Sequence, residues 1–216
     1  MTVRVALIHA LAHSVAPVAD AFARLWPQAE RMNLLDDSLS ADLARSPAGL
    51  DARMTARFLA LADYALRTGA RGILFTCSAF GPCIDAVKRR WPDVPVLKPN
   101  EAMIGEAVAA GGRIGLVASF APTLASMPAE FPPGVDLVPV LAEGAMAALD
   151  RGDAASHDAL VAKAAARIAA SCDVVALAQF SLARAAAAVA AATGRRVLTT
   201  PDSAVRALQA RLDATR

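Results

Sequence analysis

Aromatic side chains make up only 5% of this 216-residue chain, which leaves few rings on which nucleobases could stack. A basic field for phosphates is missing as well. The formal charge is +2, Lys and Arg are interleaved with acids, and the single basic triplet, Lys88-Arg89-Arg90, reads as a solvated helix end. No nucleic-acid partner is expected. Arg167 and Arg184 break the richest apolar stretches, so no uncharged run of about 18 residues exists and no membrane span is expected. The N-terminal segment carries one Arg ahead of apolar residues, but His9 and His13 interrupt it too early for a secretory signal. The three cysteines, Cys77, Cys83 and Cys172, form no C-x-x-C pair and no Cys/His set with zinc-site spacing. An odd number of scattered thiols suits a reduced, cytoplasmic protein.

What is abundant is apolar residue, 56% of the chain and much of it alanine, which excludes disorder and fills one large core or two modest ones. Short β-branched or leucine-rich runs alternate with longer alanine-rich segments, a βαβ pattern. The predicted strands are Val3 to Ile8, Arg31 to Leu35, Gly72 to Thr76, Val94 to Leu97, Arg113 to Ala118, Val135 to Val140, Val174 to Ala178 and Arg196 to Thr199. Helices fill the intervals, with Gly69, Gly111 and Gly194 as stops and Pro17, Pro82 and Pro201 near starts.

The two halves echo each other. Laying Cys77 on Gln179 brings Gly72-Ile-Leu-Phe-Thr-Cys-Ser-Ala79 onto Val174-Val-Ala-Leu-Ala-Gln-Phe-Ser181, and the same ungapped shift lays Pro99-Asn-Glu-Ala102 on Pro201-Asp-Ser-Ala204. The expected fold is α/β: two similar doubly wound, flavodoxin- or Rossmann-like lobes related by pseudo-two-fold symmetry. The first would hold residues 1–98 plus 200–216 and the second 99–199, with the site in the cleft where the carboxyl ends of their strands meet.

Cys77 ends a buried strand just before a helix expected to begin around Gly81. Exposed backbone N–H groups and the helix dipole there would stabilise a thiolate. The competing reading is a small residue buried at a strand end. A Cys-x5-Arg phosphate loop fails because Cys83 stands where the Arg belongs, and five residues between Cys77 and Cys83 are too many for a redox dithiol. Cys83 and Cys172 read as packing residues. His9 ends the first strand at the same sheet edge, where an imidazole could hold a thiolate or relay its proton. His157 sits in a helix-start composition and is expected at the surface. Thr76, Ser78, Ser119, Thr123, Gln179 and Ser181 fall on loops after strands, a set of neutral donors suited to a carboxylate. Asn100 opens a Pro-led helix as a further ligand or a cap. Asp36-Asp37-Ser38, after the second strand, could reach a substrate amine or hydroxyl.

These pieces together resemble the aspartate/glutamate/hydantoin racemase superfamily, which also includes arylmalonate decarboxylase and maleate isomerase. The resemblance rests on Thr-Cys-Ser at 76–78, Pro-Asn-Glu-Ala-Met at 99–103, Gly-Leu-Val-Ala-Ser at 115–119 followed by Thr123, Glu-Gly-Ala-Met at 143–146 with Gly152-Asp153, and Leu-Ala-Gln-Phe-Ser at 177–181. It implies a cofactor-independent enzyme, without pyridoxal phosphate or metal, that moves a proton at the α-carbon of a small carboxylic acid through cysteine. Cys77 matches the first catalytic cysteine of that family, and His9 the position of an assisting aspartate. The second cysteine falls on Gln179, which neither takes nor gives a proton usefully at neutral pH, and the following histidine falls on Ser181. An isomerase, epimerase or decarboxylase working through one thiol is therefore expected. A non-catalytic carboxylate-binding protein and a thiol-dependent hydrolase, with Cys77 as nucleophile and His9 as base, are the alternatives. A homo-oligomer is left open.

Overall fold

The computed structural model describes residues 2–47 and 49–214. The chain divides into two compact units, one taking in Met1–Pro99 and Ala204–Arg216, the other Asn100–Ser203. In the first, β1 (Arg4–His9), α1 (Val15–Leu25), β2 (Glu30–Leu35), α2 (Ser38–Arg45), α3 (Ala52–Arg67), β3 (Gly72–Phe75), α4 (Gly81–Arg90) and β4 (Val96–Leu97) follow in order. In the second come α5 (Glu101–Ala110), β5 (Ile114–Ala118), α6 (Ala121–Ser126), β6 (Leu137–Leu141), α7 (Ala145–Asp150), α8 (Ala154–Ala166), β7 (Val174–Leu177), α9 (Ala186–Thr193) and β8 (Arg196–Thr199). The last helix, α10 (Thr200–Ala214), gives its first turn to the second unit and the rest to the first.

Each unit is built on a four-stranded parallel sheet, ordered β2-β1-β3-β4 in one and β6-β5-β7-β8 in the other. The apolar runs explain which strands are central. GILF of β3, IGLVA of β5 and VVAL of β7 are buried along their whole length, as strands covered on both faces must be. At the margin, ERMNLL of β2 alternates exposed and half-buried residues. Pro139 is tolerated in β6 because that strand is an edge. β4 is shorter than its sequence predicts: Pro95 has no N–H to pair and contributes only its carbonyl, to the Ile73 N–H at 2.9 Å. Gly194 ends α9 in the left-handed region (φ 63°), as its position after the alanine run predicts.

The first core gathers Ala6, Ile8, Ile73, Phe75, Phe58 and Phe80 between the sheet and α3 and α4. The Phe58 ring lies 5.3 Å from Phe75 and 4.9 Å from Phe80, centroid to centroid. This cluster supports the strand end that carries Cys77, so Phe58→Ala is expected to cost about 3–5 kcal/mol, read as a lower denaturant midpoint at unchanged slope. Gly72 opens β3 without a side chain because α10 lies against it. A Cβ there would stand 2.9 Å from the Leu208 Cδ1 atom. Cys172 is buried and packs likewise on Gly115, where a Cβ would stand 2.9 Å from its sulfur. No helix among the described residues is long and apolar enough to cross a membrane.

Candidate active site

In the first unit the pleat of the sheet sorts the polar residues at the carboxyl edge. Ile73, Phe75 and Cys77 alternate onto the face packed by α3 and α4, and Ile8 joins them from β1. Thr76 and His9, one residue out of step, turn to the other face. There His9 is fully buried. Its Nδ1 lies 3.0 Å from both the Ser14 and Thr76 hydroxyls, and its Nε2 lies 3.0 Å from the Asn33 Oδ1 atom. Asn33 Oδ1 can only accept, so Nε2 carries the proton and Nδ1 accepts from a hydroxyl. Ser14 spends its hydrogen on the Leu11 carbonyl at 2.8 Å, which leaves Thr76 as the donor to His9. Burial lowers the His9 pKa below 6.5, more than the Asn33 bond raises it, so the ring is neutral near pH 7. The imidazole thus orders the Thr76 strand end and makes no hydrogen bond to Cys77.

Cys77 is half-buried and precedes a 3-10 turn, Ser78–Phe80, that leads into α4. On its inner side it shares a gap too tight for a water molecule with Ile8, His9, Ala10, Leu39, Phe58 and Phe75. This burial raises the thiol pKa above its ordinary value. The nearby Ala79 N–H and Ser40 hydroxyl pull it back only in part. The expectation of a thiolate stabilised by the helix start is corrected here: desolvation by the phenylalanine cluster outweighs one backbone donor, and Cys77 is a thiol at neutral pH. Ser78 stands exposed on the turn. Asp36 is not free for a substrate amine, because its carboxylate is 2.6 Å from the Arg57 guanidinium. Burial alone would raise the Asp36 pKa; the Ser38 hydroxyl and Arg57 outweigh it and hold the group low.

At the corresponding edge of the second unit, Ser119 follows β5 and Gln179 follows β7. The Ser119 N–H donates to Gln179 Oε1 at 2.7 Å and its hydroxyl to the same oxygen at 3.1 Å. Both hydrogens of Ser119 are therefore spent on Gln179, and the Gln179 Nε2 amide is the donor left for a ligand. Ser181 is half-buried on the 3-10 segment Phe180–Ala185, and Thr123 half-buried on α6. Asn100 stands at the N-cap position of α5 but makes no capping bond. It is buried, with its amide 3.5 Å from Glu130 Oε1. His157, expected at the surface, is fully buried: its Nδ1 meets Asp158 Oδ1 at 2.8 Å, and the same oxygen accepts Arg184 Nε at 2.8 Å. Among the described residues, no group of three His, Cys, Asp or Glu side chains is placed to hold a metal ion.

The donors gathered at the two edges are neutral, and apolar Leu11 and Leu35 stand exposed near the first, Phe120 near the second. Ser14, Asn33, Ser40 and Arg57 are the contributors that sequence reading passes over. Ser38-x-Ser40 at a helix start after a strand is the nearest thing to a signal for them.

A model of the family described as Asp/Glu/Hydantoin racemase matches residues 12–208. Allantoin racemase from Klebsiella pneumoniae is similar in fold, with a TM-score of 0.74 and 14% identity over 99% of this chain and 89% of its own. An aspartate racemase homologue from Pyrococcus horikoshii OT3 gives 0.71 and 15% over 95% and 97%. A glycine-to-cysteine mutant of arylmalonate decarboxylase gives 0.68 and 19% over 96% and 92%. No curated protein matches the sequence.

Proposed function

Since the chain belongs to the Asp/Glu/Hydantoin racemase family, a family of enzymes, we propose that it transfers a proton at the α-carbon of a small carboxylic acid through the single thiol of Cys77. The observation that carries this reading is the placement of Cys77: a half-buried free thiol at the carboxyl end of β3, just before the turn that leads into α4, with a gap too tight for water on its inner side. At the edge of the second unit the Gln179 amide, turned by Ser119, is a neutral donor of the kind a carboxylate accepts. A neutral ligand leaves the carboxylate's charge to be offset only as an enolate develops.

The raised pKa favours the direction in which Cys77 gives its proton. In a decarboxylation, the bond to a departing carboxylate breaks, its electron pair forms the enolate, and the Cys77 S–H delivers a proton to the α-carbon. The thiolate then recovers a proton from water. In an isomerisation, the thiolate first takes the α-proton and the C–H electron pair forms the enolate. A proton then returns to the substrate carbon from the new Cys77 S–H, which restores the thiolate, or from water, in which case the S–H proton is given up to solvent. Cofactor independence and a reducing, cytoplasmic setting suit either course, since both need Cys77 as a free thiol. Hydrolysis is less well served by His9, whose two ring nitrogens are hydrogen-bonded to Ser14, Thr76 and Asn33 and not to Cys77.

The test is a panel of small mono- and dicarboxylic acids, some with apolar substituents, incubated in D2O and followed by NMR for α-deuterium and by CO2 release. Exchange or decarboxylation of a panel member is expected. Carboxylate binding without either would make this a binding protein. The dependence of kcat/KM on pH separates the two directions. With Cys77 as acid, it stays level through neutral pH and falls only as pH rises past the thiol's raised pKa. With thiolate abstraction as the first step, it rises over the same interval. Neither profile has a limb near pH 6.5, because burial keeps His9 neutral there.

A further inference from the structure

A second concavity of the first unit lies at the other end of its sheet. Cys77 follows the carboxyl end of β3; beside the amino ends of β3 and β4 is a groove of about 870 Å³ lined by Arg71, Lys88 and Arg211. Asp93 is the one carboxylate among the described residues that line it, so positive charge is in excess. The three cations come from distant parts of the sequence and only the fold brings them together. Arg71 stands between α3 and β3, Lys88 in the last turn of α4 and Arg211 in the last turn of α10. Pro92, Val94 and Pro95 add an apolar wall. Sites for small organic molecules run to about 300–1,000 Å³ and join an apolar surface to a few polar groups in this way.

The backbone around the groove is fixed. The Arg71 N–H donates to the Arg4 carbonyl at 2.8 Å, the Val94 N–H to the Trp91 carbonyl at 3.2 Å, and the Pro95 carbonyl accepts from the Ile73 N–H at 2.9 Å. These bonds hold Arg71 and the loop 92–95 against the sheet. A cation in the last turn of a helix is accounted for by the helix dipole alone, which covers Lys88 and Arg211. Arg71 belongs to no helix, is exposed, and pairs with no carboxylate among the described residues. Of the basic triplet at the end of α4, only Lys88 lines the groove; Arg90 lies over the Trp91 ring, 5.4 Å from its centroid.

We propose that this groove binds a phosphorylated small molecule, with its phosphate groups toward Arg71, Lys88 and Arg211 and its apolar or planar part against Pro92, Val94 and Pro95. Phosphate is the anion whose oxygens match a guanidinium fork two at a time, and two of the three cations are arginines. Asp93 opposes the ligand's charge and limits the affinity. The site stands apart from the proton chemistry at the carboxyl edge and does not rest on the role given to Cys77.

The experiment is calorimetric titration of the full chain at low salt with three probes: ATP, inorganic tripolyphosphate and citrate. ATP is expected to bind, tripolyphosphate severalfold more weakly because it has nothing to lay on the apolar wall, and citrate more weakly again. Arg71→Ala should weaken ATP binding about tenfold, the loss of one charge-assisted hydrogen-bonding group. Arg71→Lys should recover part of that loss, and Arg71→Ala combined with Arg211→Ala should cost about a hundredfold. Asp93→Asn should tighten binding a few-fold. Arg71, Arg211 and Asp93 are exposed, so these variants are expected to fold, which an unchanged Tm without ligand checks. No binding of either phosphate compound, or an affinity that the double variant leaves unmoved, would overturn the site. Citrate binding as tightly as tripolyphosphate would overturn the assignment to phosphate, and ATP binding no tighter than tripolyphosphate would overturn the role of the apolar wall.

Discussion

Cys77→Ala is expected to lower turnover by roughly a hundred- to ten-thousand-fold, the contribution of a positioned acid or base, while leaving the fold in place. The side chain is half-buried at the edge of its cluster, and Phe58, Phe75 and Phe80 pack without it. Cys77→Ser should be almost as damaging, because a serine hydroxyl is far too weak an acid to give its proton to an enolate at neutral pH. The other thiols supply the control. Cys83 is buried in α4 and Cys172 against Gly115, so their alanine variants should lose some stability but keep turnover per folded molecule. Single-turnover kinetics on a substrate from the acid panel, with folding checked by circular dichroism, make the measurement. Cys77→Ala protein that kept most of its turnover would assign the proton to another group.

Gln179→Cys is expected to introduce racemisation that the native protein lacks. One proton carrier reaches one face of a planar enolate, so native protein should exchange the α-proton of a single enantiomer, or protonate from one side and give one stereochemical outcome. Gln179 occupies the strand end that corresponds to Cys77, after β7 as Cys77 is after β3, and a thiol there supplies a second carrier. The gain should be modest. A cysteine is shorter than glutamine, and its sulfur cannot take the two bonds that Ser119 gives to Oε1, so misplacement by an ångström or so would leave the new activity about a hundredfold below a well-aligned pair. NMR of α-deuterium incorporation for each enantiomer, with native and variant protein, reads both halves of the prediction. Equal exchange of both enantiomers by native protein would mean that some residue other than Gln179 already serves the second face.

Much of the fold was legible because parallel strands need unbroken apolar runs and glycine marks helix ends. Gly72 to Phe75 and Val174 to Leu177 could be read directly, and so could the stop at Gly194. Boundaries were less legible where an edge strand meets proline, as at Pro95. The site was legible as a set of strand ends, since the residue that follows a central strand is fixed by the run before it. What a side chain faces was harder to read. Alternation parts His9 from Cys77 although both stand at the same edge, and that parity depends on the register of β1 against β3. The depth of Cys77 comes from Phe58, distant in sequence. His157 was misjudged because α8 is mostly alanine, so its composition marks where the helix starts but offers no polar face to contrast with a buried one.

The repeated strand order gives two sheets whose carboxyl edges are tied by different internal bonds. His9 joins β1 to Thr76 after β3, and Ser119 joins the end of β5 to Gln179 after β7. Each tie closes within its own sheet. A substitution at 179 is therefore expected to release the N–H and hydroxyl of Ser119 at the end of β5, and one at His9 to release the Thr76 hydroxyl after β3. Two like sheets thus fasten their carboxyl edges with unlike chemistry, an imidazole in one and an amide in the other, so that each edge can be altered by a substitution of its own kind.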